Sequence, residues 1–68
     1  MIKFIVDENP LVNGSYQMHN ATLGCVDMPK LDNQILIGYF ADFELAHKRA
    51  RMNWSKEKIE ACKKCCVF

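Results

Sequence analysis

Cys62 and Cys65 stand as a C-x2-C pair near the end of the chain. This spacing puts two thiolates on one tight turn, close enough to share a tetrahedral metal ion at about 2.3 Å each. Thiol redox motifs use the same spacing but in a βαβ context, which 68 residues with a C-terminal C-x2-C do not supply. A metal site needs two further donors, and His19 and Cys25 provide one borderline and one soft ligand at the start of an irregular stretch. His19, Cys25, Cys62 and Cys65 together make a Cys3His set. With all four positions filled by protein, the site is expected to be closed and structural, and Zn2+ is the expected cofactor. Cys66 is the main competitor of His19 for the fourth position, and His47 is a second rival. Read singly, Cys25 is a small buried hydrophobe and His19 an exposed strand-end residue. Their joint occurrence with C-x2-C points to the metal.

The elements that must position these donors follow from the hydrophobic pattern. Residues 2–6 are apolar and partly β-branched and predict a strand, which the Asn9-Pro10 break ends. Asn13-Gly14-Ser15 is a turn signal leading into a second strand at 16–19, with Tyr16 and Met18 on one face. Residues 20–33 read as an irregular loop, and so long a loop in so small a chain is expected to have a task such as ligation. A third strand is predicted over 34–40. Asp42 then caps a helix reaching about Asn53, whose apolar stripe is Phe43, Ala46, Ala50 and Trp54. Ser55 starts a second short helical segment, with Ile59 as its buried residue. The expectation is one α+β domain over residues 1–68: a small three-stranded antiparallel sheet, one main helix and a short C-terminal helical turn, stapled by zinc. The staple answers a problem of size. Ordering each residue costs about 1.5 kcal/mol, and a chain this short buries too little apolar surface to offset that comfortably.

Charge is unevenly placed. Residues 1–43 carry Lys3 and Lys30 against five acidic groups, whereas residues 44–68 carry seven basic residues against three acidic ones. A basic half of this kind is either a solvated helix face or a surface for a polyanion. Lys48, Arg49, Arg51, Lys63 and Lys64 are the candidate nucleic-acid contacts, with Trp54 and Tyr39 available for stacking. The longest apolar run, 35–41, is far short of a membrane span. The opening apolar residues are cut off by Asp7-Glu8 and lack the form of a secretory signal. A reducing, cytoplasmic location is therefore expected, where clustered cysteines favour a metal over disulfides.

The order of these features resembles small bacterial proteins related to the metal-binding domain of the Ada methylphosphotriester DNA-repair protein. The resemblance spans roughly residues 16–66 and is carried by His19…Cys25, Met28-Pro29, Asn33, Ile37-Gly38-Tyr39-Phe40, Ala46, Ala50 and Cys62-Lys63-Lys64-Cys65-Cys66. One departure is that five residues separate His19 from Cys25, where the family usually has three. The resemblance implies DNA binding, and it makes Cys25 the candidate acceptor of a methyl group on a zinc-bound thiolate. No Ser-His-Asp set, carboxylate pair, phosphate loop or open metal site is present in the sequence, so a binding module for nucleic acid or another protein is expected ahead of an enzyme. A different class is marked by the final Cys65-Cys66-Val67-Phe68, which fits a C-a-a-X signal with Lys63 and Lys64 beside it. Prenylation of Cys65 would attach the chain to a membrane and remove Cys65 from the zinc set.

Overall fold

The structure is a computed structural model, which describes residues 1–66. Four strands and one α-helix make an α+β fold: β1 Ile2–Asp7, β2 Tyr16–Asn20, β3 Gln34–Phe40, α1 Phe43–Asn53 and β4 Ile59–Ala61, with one 3-10 turn at Leu31–Asn33. The strands lie side by side in the order β3-β1-β2-β4. β1 pairs antiparallel with both β2 and β3, whereas β4 runs parallel to β2. The three-stranded antiparallel sheet predicted from sequence is thus corrected to a four-stranded mixed one. The expected helical segment after Ser55 is corrected as well: a turn there closes through the Glu57 N–H to the Trp54 carbonyl, and the chain then enters β4. Three residues carry no period that distinguishes strand from helix, and β4 exists through its pairing with residues more than 40 positions away.

Strand alternation divides the side chains between two faces. Phe4, Val6, Met18 and Ile59 are buried on the face that α1 covers, where Ala46 and Ala50 are fully buried. Alanine at these two positions lets the helix lie close on the sheet, with Phe43 and Trp54 packed at its two ends. Asp42 caps the helix as expected, its carboxylate accepting from the Leu45 N–H at 3.0 Å. His47 donates through Nε2 to the Ile59 carbonyl at 2.6 Å and ties the helix to β4. His19 and Ile5, paired across β1 and β2, project from the opposite face and are nevertheless buried.

β3 pairs with β1 through an irregularity. Phe4 pairs with Gly38 and Ile5 with Leu36, which leaves Ile37 as an extra residue in the strand. Gly38 takes a φ of +148°, and a Cβ there would sit 3.1 Å from the Phe40 ring, which itself packs against Phe4 with ring centroids 6.4 Å apart. The backbone conformation therefore calls for glycine, and a Cβ would in addition press on the Phe40 ring. Gly38→Ala is expected to lower stability by about 1–3 kcal/mol. Urea unfolding should show this as a lower midpoint with an unchanged slope.

Candidate metal centre

The parallel pairing of β2 with β4 assembles the site. Tyr16 pairs with Ile59 and Met18 with Ala61, so the next step along each strand brings His19 beside Cys62. The Cys62 N–H continues the ladder, donating to the Met18 carbonyl at 2.9 Å. Past Cys62 the chain turns sharply, with the Cys66 N–H bonded to the Cys62 carbonyl at 2.8 Å, and the turn returns Cys65 to the same point.

Cys25 arrives from the loop after β2, and Asn20 organises that loop. Its side-chain oxygen accepts from the Leu23 N–H at 2.9 Å and its carbonyl accepts from the Gly24 N–H at 2.9 Å. Gly24, at φ +77°, then redirects the backbone into Cys25. The N–H of Asn20 points at Cys65 Sγ, 3.3 Å away. Outside the cluster, Asp27 and Lys64 form an ion pair at 2.9 Å between this loop and the C-terminal turn. Asn20, Asp27 and the role of Gly24 were not identified from sequence. An Asn followed within four residues by Gly was the available sign of a tight, side-chain-stabilised turn.

His19, Cys25, Cys62 and Cys65 each contribute one donor atom, and the four atoms lie within 4.8 Å of one another. Cys25 Sγ is 3.9 Å from Cys62 Sγ, and His19 Nδ1 is 3.5 Å from both Cys25 Sγ and Cys65 Sγ. Tetrahedral bonds of about 2.3 Å to sulfur and about 2.0–2.1 Å to nitrogen give edges of about 3.8 Å between sulfurs and about 3.6 Å between sulfur and nitrogen. The group therefore has the dimensions of a first coordination sphere and could hold a metal ion. No disulfide joins these residues: the sulfurs of Cys25 and Cys62 are 3.9 Å apart, against about 2.05 Å for a bonded pair, and all four cysteines are free.

The electrostatics fit the same reading. Burial holds the His19 pKa below its ordinary value, against the opposing charges of Asp7 and Asp27. The imidazole is thus kept neutral, as a metal ligand must be. With Nδ1 facing the sulfurs, Nε2 carries the proton, and it is buried with no acceptor among the described residues. Burial pushes the Cys62 thiol up, but the backbone N–H groups of Lys64 and Cys65 and the neighbouring Cys65 and Cys25 outweigh it and hold the thiol below its ordinary value. Burial pushes Cys65 strongly up, and Cys25 and Cys62 add to this against the Asn20 N–H. Three thiolates cannot share so small a buried volume without a cation, so proton release from Cys65 would be coupled to the binding of a metal ion.

The two rivals for the fourth position are placed elsewhere. Cys66 is buried on the other side of the turn and its thiol donates to the Met18 carbonyl at 3.4 Å. Burial raises its pKa, which retains the donated proton. His47 is engaged with Ile59. Of the basic residues singled out in the sequence, Lys48, Arg49 and Arg51 are exposed on α1, whereas Lys63 and Lys64 lie on the C-terminal turn beside the cluster. They occupy two separate elements, and Lys64 is engaged by Asp27. Tyr39 is exposed on β3 and Trp54 is half-buried at the end of α1. Cys65, the residue the lipidation signal would modify, is 1 % exposed inside the cluster, and Val67 and Phe68 lie outside the described residues. No described helix is long and apolar enough to cross a membrane.

No family model matches the chain, and neither a curated protein nor a solved structure matches it. The resemblance to Ada-type domains therefore rests on the quoted residues alone, and the candidate metal centre on its geometry.

Replacement of ligands and of their rivals should separate cleanly. Cys25→Ser or Cys65→Ser is expected to lower metal affinity by at least about a hundredfold, more than loss of an outer-sphere partner typically does. Cys66→Ser should keep a full equivalent of metal. His47→Ala should also keep it while losing about 1–3 kcal/mol of stability, because the buried Ile59 carbonyl loses its donor. Metal content by elemental analysis of each purified variant is the check.

Proposed function

We propose that the chain is a zinc-binding interaction module whose closed Cys3His site fixes the fold and presents the ligand loop to a partner. The observation that carries this is the convergence of three sulfurs and a His19 ring nitrogen within 4.8 Å of one another, with the Cys25–Cys62, His19–Cys25 and His19–Cys65 separations close to tetrahedral edges. Four protein donors of N and S type in one small, largely buried sphere favour Zn2+ and leave no position for substrate. Zinc would draw β2, the loop and the C-terminal turn together, and its binding energy would become folding energy. Leu23 and Val26 flank Cys25 and are 66 % and 87 % exposed. A loop held by the metal would thus display two apolar side chains, which supports recognition of a protein partner. For nucleic acid, the contacts would be Lys48, Arg49, Arg51, Lys63 and Lys64, and binding would weaken steeply with salt.

One observation favours a second reading, acceptance of a methyl group by Cys25. Cys25 is the least buried of the four donors. In that reaction the Cys25 thiolate would take a methyl from a phosphate triester, leaving a phosphodiester anion.

Native mass spectrometry of untagged protein tests both readings. One zinc per chain is expected, and a metal-free folded chain would sink the proposal. A mass increase of one methyl after incubation with methylphosphotriester DNA would move the assignment to the second reading. Acid should release the metal, because protons compete for three thiolates and one imidazole. Since burial lowers the His19 pKa, that ligand should resist protonation until the pH is below the ordinary value of 6.5. The apo fold should lose stability in the same direction: below 6.5 the unfolded chain binds a proton at His19 that the folded chain resists. A pH titration of zinc release, read with a chromogenic chelator, should therefore show release rising as the pH falls.

A further inference from the structure

The end of the molecule away from the metal centre carries a pocket that the metal does not use. It opens where β1 ends, where β2 and β4 begin and where α1 stops, and its volume is about 210 Å³. Val6 and Ile59, both buried, form its apolar base. Tyr16 and Trp54 supply aromatic walls, Ile35 at the start of β3 adds an apolar edge, and Glu8 and Glu57 complete the lining. Neither carboxylate is in an ion pair among the described residues, where Lys64–Asp27 is the one such pair. The Tyr16 hydroxyl and the Trp54 indole N–H likewise have no hydrogen-bond partner there.

Each part of this arrangement selects the same kind of guest. An apolar base excludes strongly hydrated groups. Aromatic faces attract cations through their quadrupoles, with Trp the strongest. Two unpaired carboxylates add charge of the complementary sign. The volume is below the roughly 300–1,000 Å³ of pockets that take an entire drug-sized molecule, so it suits a head group. A bare ammonium would have to shed its tightly held water against the base, whereas methyl groups on nitrogen spread the charge and tolerate apolar contact.

We propose that this pocket is a recognition site for an alkylated ammonium group, either a free small cation or the methylated side chain of a lysine on a partner. The site is independent of the metal reading, because none of its residues is a donor and it stands on separate observations. It also gives Trp54 a role beyond closing the core.

Trp54 is the single tryptophan in the chain, so its fluorescence reports on the pocket directly. Titration of the full, metal-replete chain with tetramethylammonium chloride, against sodium chloride at equal ionic strength, should give a saturable change in the millimolar range. A trimethyl-lysine peptide should bind at least about tenfold more tightly than its isostere with a neutral tert-butyl head. Tighter binding of the peptide than of tetramethylammonium assigns the cation to a partner chain, and equal binding assigns it to a free small molecule. The double variant Glu8→Gln with Glu57→Gln keeps shape and should weaken binding at least about fivefold while metal content and circular dichroism stay unchanged. Equal affinity for the neutral isostere, or no saturable change beyond the sodium chloride control, would overturn the proposal.

Discussion

The pairing of β2 with β4 is the contact on which the rest of the molecule depends. It is short, and its last bond runs from the Cys62 N–H to the Met18 carbonyl. The placement of the donor cluster follows from that register. The same carbonyl receives the Cys66 thiol, so one oxygen uses both lone pairs to hold the C-terminal turn. The neighbouring residue, His19, points to the opposite face, where the turn delivers Cys65 and the loop delivers Cys25. A slip of one residue between β2 and β4 would send Cys62 to the wrong face and leave three donors without a fourth.

A three-residue parallel strand at a sheet edge is a weak element by itself. Here its two ends are held by unlike means. At its start, α1 fixes it through His47 and the Ile59 carbonyl. At its finish stands the donor cluster, in which buried thiols repel one another as they ionise, and only a cation converts that repulsion into attraction. The helix supplies packing, a metal ion held by the cluster would supply charge compensation, and both bear on the same few residues.

Much of this was legible in the sequence because it is local. The span of β3, the Asp42 cap and the helix through Asn53 are written in period and capping chemistry. The four donors were legible because their chemistry is sparse: few side chains bind soft metals, and C-x2-C fixes the geometry of two of them. What escaped was non-local or backbone-borne. β4 has no period of its own and is a strand through partners 43 positions earlier. The choice of His19 over Cys66 was decided by the direction of the turn, which buries Cys66 toward Met18. Asn20 acts largely through its backbone, which side-chain chemistry does not reveal. The pocket beside Trp54 joins the ends of five elements, so its residues have no common spacing.

The bulge at Ile37 has one more effect. β3 is an outermost strand, and its seven residues, Gln34 to Phe40, include no charge and no proline. Such a segment with a straight backbone would invite stacking with other copies and lead towards aggregates. The extra residue and the glycine after it interrupt the regular row of donors and acceptors that an incoming strand would need. On a strand that carries no charge, shape is thus the device left to discourage such pairing.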